Sequence, residues 1–184
     1  PDYRGTGVSR ELFRLHKQTA LDNGCKQLFL EVIAGNDRAI NFYKGLGYEK
    51  IYDLSYFIHN NPVEIQKLSI PSYPIRQAGL YEIMGLKAEI AEVHMNWQND
   101  FDYMAKLPEQ LCLAMNYGGR IAAAISINAG GRISFLWVRP GFRGKRIATS
   151  LIGSAVSILR PQRLYMSFPN NAGLQGFAKK LGFE

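Results

Sequence analysis

The chain has 184 residues, which allows one domain or parts of two. Hydrophobic residues make up 47% and charged residues 20%, with 10 Phe and 10 Tyr, a composition that excludes a disordered chain and suffices for a packed core. The net charge of +7 is uneven: residues 1–74 hold 9 basic and 8 acidic side chains, residues 75–184 hold 13 and 7, and from Gln110 to Phe183 there are 10 Lys/Arg and no Asp, Glu or His.

In chain order, Val8, Leu12, Leu15 and Thr19 fall at helical spacing, and Asn23-Gly24 ends that helix. Leu28–Ile33 is expected to be a short strand. Asn36-Asp37 caps a helix running from Arg38 to Leu46. Tyr48–Ile58 reads as one or two strands. Residues 61–74 carry three prolines and few periodic signals, so a linker is expected there. A helical region follows from Leu80 to Tyr103, broken near Asn96–Asp100. Three strands, Leu111–Tyr117, Arg120–Asn128 and Arg132–Val138, are separated by hairpin turns at Gly118-Gly119 and Ala129-Gly130-Gly131. A helix from Ile147 to Leu159, ended by Pro161, a strand at Arg163–Phe168 and a helix at Leu174–Leu181 complete the chain.

Two segments of this series are alike. Pro1-Asp-Tyr-Arg-Gly-Thr-Gly matches Pro140-Gly-Phe-Arg-Gly-Lys-Arg, and each is followed by helix, strand and helix. The closings are Leu46-Gly47-Tyr48-Glu49 and Leu181-Gly182-Phe183-Glu184. The period of about 135–139 residues is too long for a solenoid and indicates a duplicated domain. Residues 1–60 read as the C-terminal half of a first domain, 61–74 as a linker, and 75–184 as a second domain without its last strands. The start at Pro1 fits a truncated first domain.

The glycine loops have a physical logic of their own. A loop of small residues entering a helix aims backbone N–H groups and the positive end of the helix dipole at one point, which suits a pyrophosphate. Gly5 and Gly7 permit close approach, and Arg4 and Arg143 offer charge-assisted bonds. A plain turn capping a helix is the other reading of either loop alone.

Together these segments resemble the acyl-CoA-binding motif of the GNAT N-acetyltransferase superfamily, and Asn36-x-x-Ala39-Ile40-x-Phe42-Tyr43-x-x-x-Gly47-Tyr48 resembles its second motif. The resemblance implies an α/β (α+β) fold, a mixed central sheet flanked by helices, here duplicated. It implies acetyl-CoA as co-substrate, no metal, and an acetyl group passed to a primary amine on a small molecule or peptide, with a homodimer as a possible assembly. Carried onto this chain, it places Arg4, Gly5, Thr6, Gly7, Val8, Ser9 and Asn36 at the cofactor in the first repeat. In the second repeat it places Val138, Arg143, Gly144, Lys145, Ala148 and Asn171. It casts Tyr43 as proton donor to the departing thiolate and Glu31 as the base for the amine. From spacing alone, Tyr43 reads equally as a half-buried aromatic, and Glu31 as a structural carboxylate.

The second repeat departs from the pattern. Gly7 aligns with Arg146, Glu31 with Ser167 and Tyr43 with Ala178. With no Asp, Glu or His from Gln110 to Phe183, none of the usual bases comes from this repeat's last strands and helices. The first repeat is therefore expected to be catalytic and the second degenerate. A non-catalytic acyl-CoA-binding or scaffold module is the alternative.

Other classes have little support. Nucleic-acid binding is not expected, because the basic half carries no zinc spacing or aromatic RNA-binding motif. His16, His59 and His94 form no ligand cluster, and Cys25 and Cys112 read as core thiols. Trp97, Phe101 and Tyr103 are candidates for an acceptor pocket or for core. No run of 18 apolar residues and no leader segment occurs, so neither a membrane span nor secretion is expected. Two cysteines fit a reducing cytoplasm.

Overall fold

The structure is a computed structural model that describes residues 3, 5–107 and 109–184. It divides into two compact units, Pro1–Lys50 and Ile51–Glu184.

The first unit holds two helices, α1 (Val8–Asp22) and α2 (Asp37–Lys44). Helix α1 ends at Asn23, as the Asn-Gly pair predicts. Asn36 caps α2, its side-chain oxygen accepting from the Ala39 N–H at 3.2 Å. Neither helix buries a residue. Phe13 meets the Tyr48 ring edge-on at 5.7 Å, which ties α1 to the segment after α2. The expected strand at Leu28–Ile33 does not form: the segment is irregular and belongs to no strand of the sheet. A strand is defined by its neighbour, and apolar β-formers alone do not supply one.

The second unit is built on a six-stranded sheet in the order β1-β6-β5-β4-β3-β2. The strands are β1 (Leu54–His59), β2 (Ile75–Gln77), β3 (Gln110–Tyr117), β4 (Arg120–Asn128), β5 (Arg132–Val138) and β6 (Leu164–Pro169). All neighbours are antiparallel except β5 and β6. The expected mixed sheet flanked by helices is therefore present. The β3–β4 turn needs two glycines because Gly118 and Gly119 both have positive φ, 57° and 75°.

Two core layers clamp the sheet. On one face, α6 (Ile147–Leu159) buries Ile147, Leu151, Ile152, Ala155 and Val156, joined by Ala178 of α7 (Gln175–Lys180) and by Ile65. On the other, Ile83 of α4 (Leu80–Met84) and Phe101 and Met104 of α5 (Phe101–Met104) pack on Phe135 and Trp137.

Two expectations need correction here. The stretch 61–74 is not an unstructured connector: it contains α3 (Pro62–Leu68), with Pro62 at the first helical turn and Pro62 and Ile65 buried. A proline at that position presets the helical φ, so it marked a helix start. Helix α3 packs against α6, where a Cβ on Gly153 would lie 2.8 Å from the Ser69 Cβ, and the Ile70 N–H donates to Ser150 Oγ at 2.8 Å. The region from Leu80 to Tyr103 is two short helices around a 3-10 turn, Gly85–Ile90, and an irregular segment. Tyr48–Ile58 yields one strand, β1, within the one or two expected, and it pairs along its whole length with β6, from Leu54↔Pro169 to His59↔Leu164.

His59 fixes the end of β1. Its Nε2 lies 2.9 Å from the Leu181 carbonyl, and its Nδ1 accepts from the Asn61 N–H at 3.1 Å. Both ring nitrogens are engaged in a buried setting, as a satisfied core histidine requires.

Candidate functional site

Each unit presents a glycine loop leading into a long helix. In the first, Gly5 and Gly7 have φ of 83° and 87°, and Gly7 is the N-cap of α1. The Thr6 hydroxyl donates to the Tyr3 carbonyl at 2.8 Å and closes the turn. A Cβ on Gly7 would meet nothing within 4 Å, so the backbone there is open to an approaching group. Val8 and Ser9 follow as the first helical residues. Arg4, expected at the phosphates, lies outside the described residues.

In the second unit, Gly144 and Arg146 repeat these conformations, with φ of 76° and 59°, and Arg146 is the N-cap of α6. An arginine therefore occupies a left-handed position where the first loop has glycine. Arg143 is exposed, and its Nε donates to the Val138 carbonyl at 3.0 Å, which clips the loop to the end of β5. The Tyr73 hydroxyl donates to the Lys145 carbonyl at 2.7 Å, and Lys145 Nζ sits 5.5 Å above the Phe142 ring. Ala148 lies in the first turn of α6. Arg139, Arg143, Lys145 and Arg146 form no ion pair among the described residues, so the loop is a concentrated positive site. Backbone N–H groups and unneutralised cations fit a pyrophosphate.

Beside this loop the sheet opens. Strands β5 and β6 pair at only two positions, Arg132↔Tyr165 and Ile133↔Met166. Beyond them both strands continue, to Val138 and Pro169, without pairing to each other. The β4–β5 register shifts at Ser126/Ile127, where Ile127↔Ile133 is followed by Ser126↔Phe135, so Ser134 is a bulge residue with no opposite number. A splay of this kind offers unpaired backbone groups to an extended ligand.

The base of the splay is occupied by a buried polar cluster that sequence reading missed. Asn99 Nδ2 donates to the Ser167 carbonyl at 2.7 Å, and Asn96 Nδ2 approaches Ser167 Oγ at 3.3 Å. Asn96, Asn99, Ser134 and Ser167 are all buried. No local pattern announces this cluster, because its members come from a loop and two strands far apart in sequence.

The remaining candidates are dispersed. Glu31 is exposed on the irregular segment before α2. Tyr43 is half-buried on α2, with ring centroids 5.2 Å from Phe42 and 5.7 Å from Tyr48. Burial, then repulsion from Tyr43, pushes the Tyr48 phenol above its ordinary range. Ala178, aligned with Tyr43, is buried in the core. Asn171, aligned with Asn36, does not cap a helix; its Nδ2 donates to the Glu92 carbonyl at 3.3 Å. Phe101 is core, its ring tilted against Phe135 at 5.5 Å, whereas Trp97 is exposed. Cys25 is exposed, contrary to its reading as a core thiol; Cys112 is buried, and burial raises its thiol pKa. No group of three metal-ligating side chains occurs among the described residues, and none of their helices is long and apolar enough to cross a membrane.

Comparison with known proteins gives this arrangement a context. A family model described as acetyltransferase (GNAT) family matches residues 1–48 and 77–183. A thialysine N-epsilon-acetyltransferase of Bos taurus is 45% identical over 47 residues, which are 26% of this chain and 28% of the relative. The chain thus matches little more than a quarter of that relative's length. Among solved structures, a conserved protein of Staphylococcus epidermidis, described as functionally unknown, superposes with a TM-score of 0.65 at 9% identity, covering 96% of this chain and 75% of its own. A GCN5-related N-acetyltransferase from Kribbella flavida gives a TM-score of 0.55 at 17% identity, covering 93% of this chain and 43% of its own.

Proposed function

As the chain belongs to the acetyltransferase (GNAT) family, we propose that it takes acetyl-CoA as donor and transfers the acetyl group to a primary amine. Residues 1–60 are then the back half of a catalytic repeat and residues 75–184 a diverged one. On this reading β1 is a first-repeat strand built into the second repeat's sheet.

The observation that carries the proposal is the matched backbone of the two loops. Left-handed residues stand at Gly5 and Gly144, and again at Gly7 and Arg146, each pair directly ahead of a long helix. The chemistry divides between them. The amine nitrogen attacks the thioester carbonyl, the C–S bond breaks, and the CoA sulfur takes a proton from Tyr43 Oη. Glu31 accepts the proton that the amine loses. Acid and base catalysis of this kind typically contributes about 10²–10⁴ in rate each. The aligned positions in the second repeat, Ala178 and Ser167, supply neither group. Its loop cations and backbone N–H groups suit it to hold CoA without turning it over.

Kinetics of the whole protein test this. Tyr43→Phe is expected to lower kcat with little change in CoA affinity, and Gly7→Arg to weaken CoA binding. Unchanged kinetics in both variants would remove the first repeat as the active half. The acyl-CoA-binding or scaffold reading has support in the second unit, where cations are kept and the base is gone. It predicts CoA binding by calorimetry and no turnover on any amine.

A further inference from the structure

The stretch whose sequence suggests a linker also reaches the glycine loop of the second unit. After α3 the chain turns at Ile70–Tyr73 and enters β2, with the Ile75 N–H donating to the Tyr73 carbonyl at 2.8 Å. From this turn two consecutive carbonyls of the loop are held. The Tyr73 hydroxyl donates directly to the Lys145 carbonyl at 2.7 Å. Ser150 Oγ, buried near the start of α6, accepts from the Ile70 N–H at 2.8 Å and donates to the Arg146 carbonyl at 3.1 Å. The Tyr73 ring is half-buried against the same core layer as α6, so packing holds the hydroxyl in place.

These bonds fix a conformation that the loop's own residues do not favour. Arg146 is left-handed, with φ of 59°, and a non-glycine residue stays there only where its surroundings determine it. Peptide geometry then carries the effect of Tyr73 across the loop. The Lys145–Arg146 peptide is planar and trans, so the Lys145 carbonyl and the Arg146 N–H point in opposite directions. Anchoring the carbonyl on Tyr73 turns the Arg146 N–H away from residues 70–73.

That N–H and its neighbours are available. Among the described residues the N–H groups of Gly144, Lys145 and Arg146 donate to no carbonyl. A Cβ on Gly144 would meet nothing within 4 Å, so the loop is open there. Donors fixed before a ligand arrives need not be ordered on binding, and that saving appears as affinity.

We infer that Tyr73 is a positioning residue for this loop: by holding the Lys145 carbonyl it aims the Arg146 N–H at the diphosphate of CoA. The inference rests on the proposed function in one respect, that CoA is the ligand of the second unit's loop. Tyr73 itself does not touch the ligand. The segment 70–73 is thus part of the machinery of the loop, although it lies 72 residues away from Lys145 in sequence.

The test follows the backbone amide resonances of the isotope-labelled whole chain during titration with CoA, which reads affinity at the loop itself. In the unaltered chain the Gly144, Lys145 and Arg146 amides are expected to shift and saturate. Tyr73→Phe keeps the ring and removes only the hydroxyl. It is expected to move the Arg146 amide resonance in the free protein and to weaken CoA at these three amides by about 3- to 10-fold, the range for one neutral hydrogen bond. A purely structural role would lower Tm and leave affinity at the loop of the folded protein unchanged. Unchanged affinity at these amides in folded Tyr73→Phe, whatever its Tm, therefore overturns the inference alone. Should that variant not fold, unchanged affinity in Ser150→Ala, which frees the Arg146 carbonyl, overturns it instead. Absence of any CoA-dependent shift at the three amides of the unaltered chain would overturn the second loop as a holder of CoA, and this inference with it.

Discussion

Arg146 stands in the left-handed region, at φ 59° and ψ 16°, as the N-cap of α6. Its side chain is exposed, and its carbonyl accepts from the Ser150 N–H at 2.9 Å, a bond that any residue would make. For a non-glycine residue this conformation costs roughly 1–2 kcal/mol. Glycine removes that cost and returns about 0.4–1 kcal/mol through the greater freedom of the unfolded chain. Deleting a cation at a helix N-terminus adds a few tenths of a kcal/mol in the same direction. Arg146→Gly is therefore expected to stabilise the second unit by about 0.5–1 kcal/mol net of these opposing effects. At roughly 2–4 °C per kcal/mol for a protein of this size, Tm should rise by about 1–4 °C in scanning calorimetry. Arg160, at the other end of α6 with φ 49°, makes an internal control. Arg160→Gly should act with the same sign, less the favourable charge at a helix C-terminus, and the two should add because a helix separates them. A lower Tm for Arg146→Gly would refute the reasoning and imply that the arginine side chain holds an interaction more valuable than the strain it imposes.

Gly131→Ala should be far more damaging: φ is 82°, and a Cβ would collide with the Arg163 carbonyl oxygen and approach Pro161 Cβ at 3.0 Å. Strain and overpacking together set a loss of at least about 3 kcal/mol, measured by urea unfolding; a loss under about 1 kcal/mol would contradict the close approach. Asn99→Ala strips the Ser167 carbonyl of its 2.7 Å donor inside the protein and should cost about 1–3 kcal/mol in the same assay. The Arg76 guanidinium, and then the Gly79 N–H, hold the Glu82 carboxyl down at about 2 from the ordinary 4.5. Because the folded value is the lower one, the stabilisation is present above pH 4.5 and is lost as pH falls toward about 2. Glu82→Gln should thus differ slightly from the parent in Tm at neutral pH and converge with it near pH 2; a constant difference across that window would exclude this ion pair as its source.

What could be read from the sequence was whatever the chain encodes locally. Strands β3, β4 and β5 are legible to within a residue because short, mostly apolar runs fill them and paired glycines punctuate them. Helix α6 is legible for the same reason, an apolar spacing with a proline beyond its end. The failures are relational. Leu28–Ile33 has strand residues but joins no strand of the sheet, while residues 61–74 looked like a linker because proline punctuates loops and also begins helices. Strand β2 was too short, at three residues, to show a period at all.

The site divides in the same way. Glycine at positions 5, 7 and 144 announces a left-handed loop, but arginine carries no such signal, and only its alignment with Gly7 pointed to Arg146. The acid-free interval from Gln110 to Phe183 was legible as an absence, and its meaning depended on what the fold brings to the splay from outside it. What arrives at the base of the splay from the loop before α5 is Asn96 and Asn99, two amides. Asp100 and Asp102 lie on the same loop and helix yet are spent otherwise, Asp100 capping α5 and Asp102 exposed. A pair of amides can orient a carbonyl, a guanidinium or a bound amine, but it cannot take a proton at neutral pH. On the proposed reading the second repeat keeps the polarity of such a site without a base from its last strands and helices, a combination that suits binding better than catalysis.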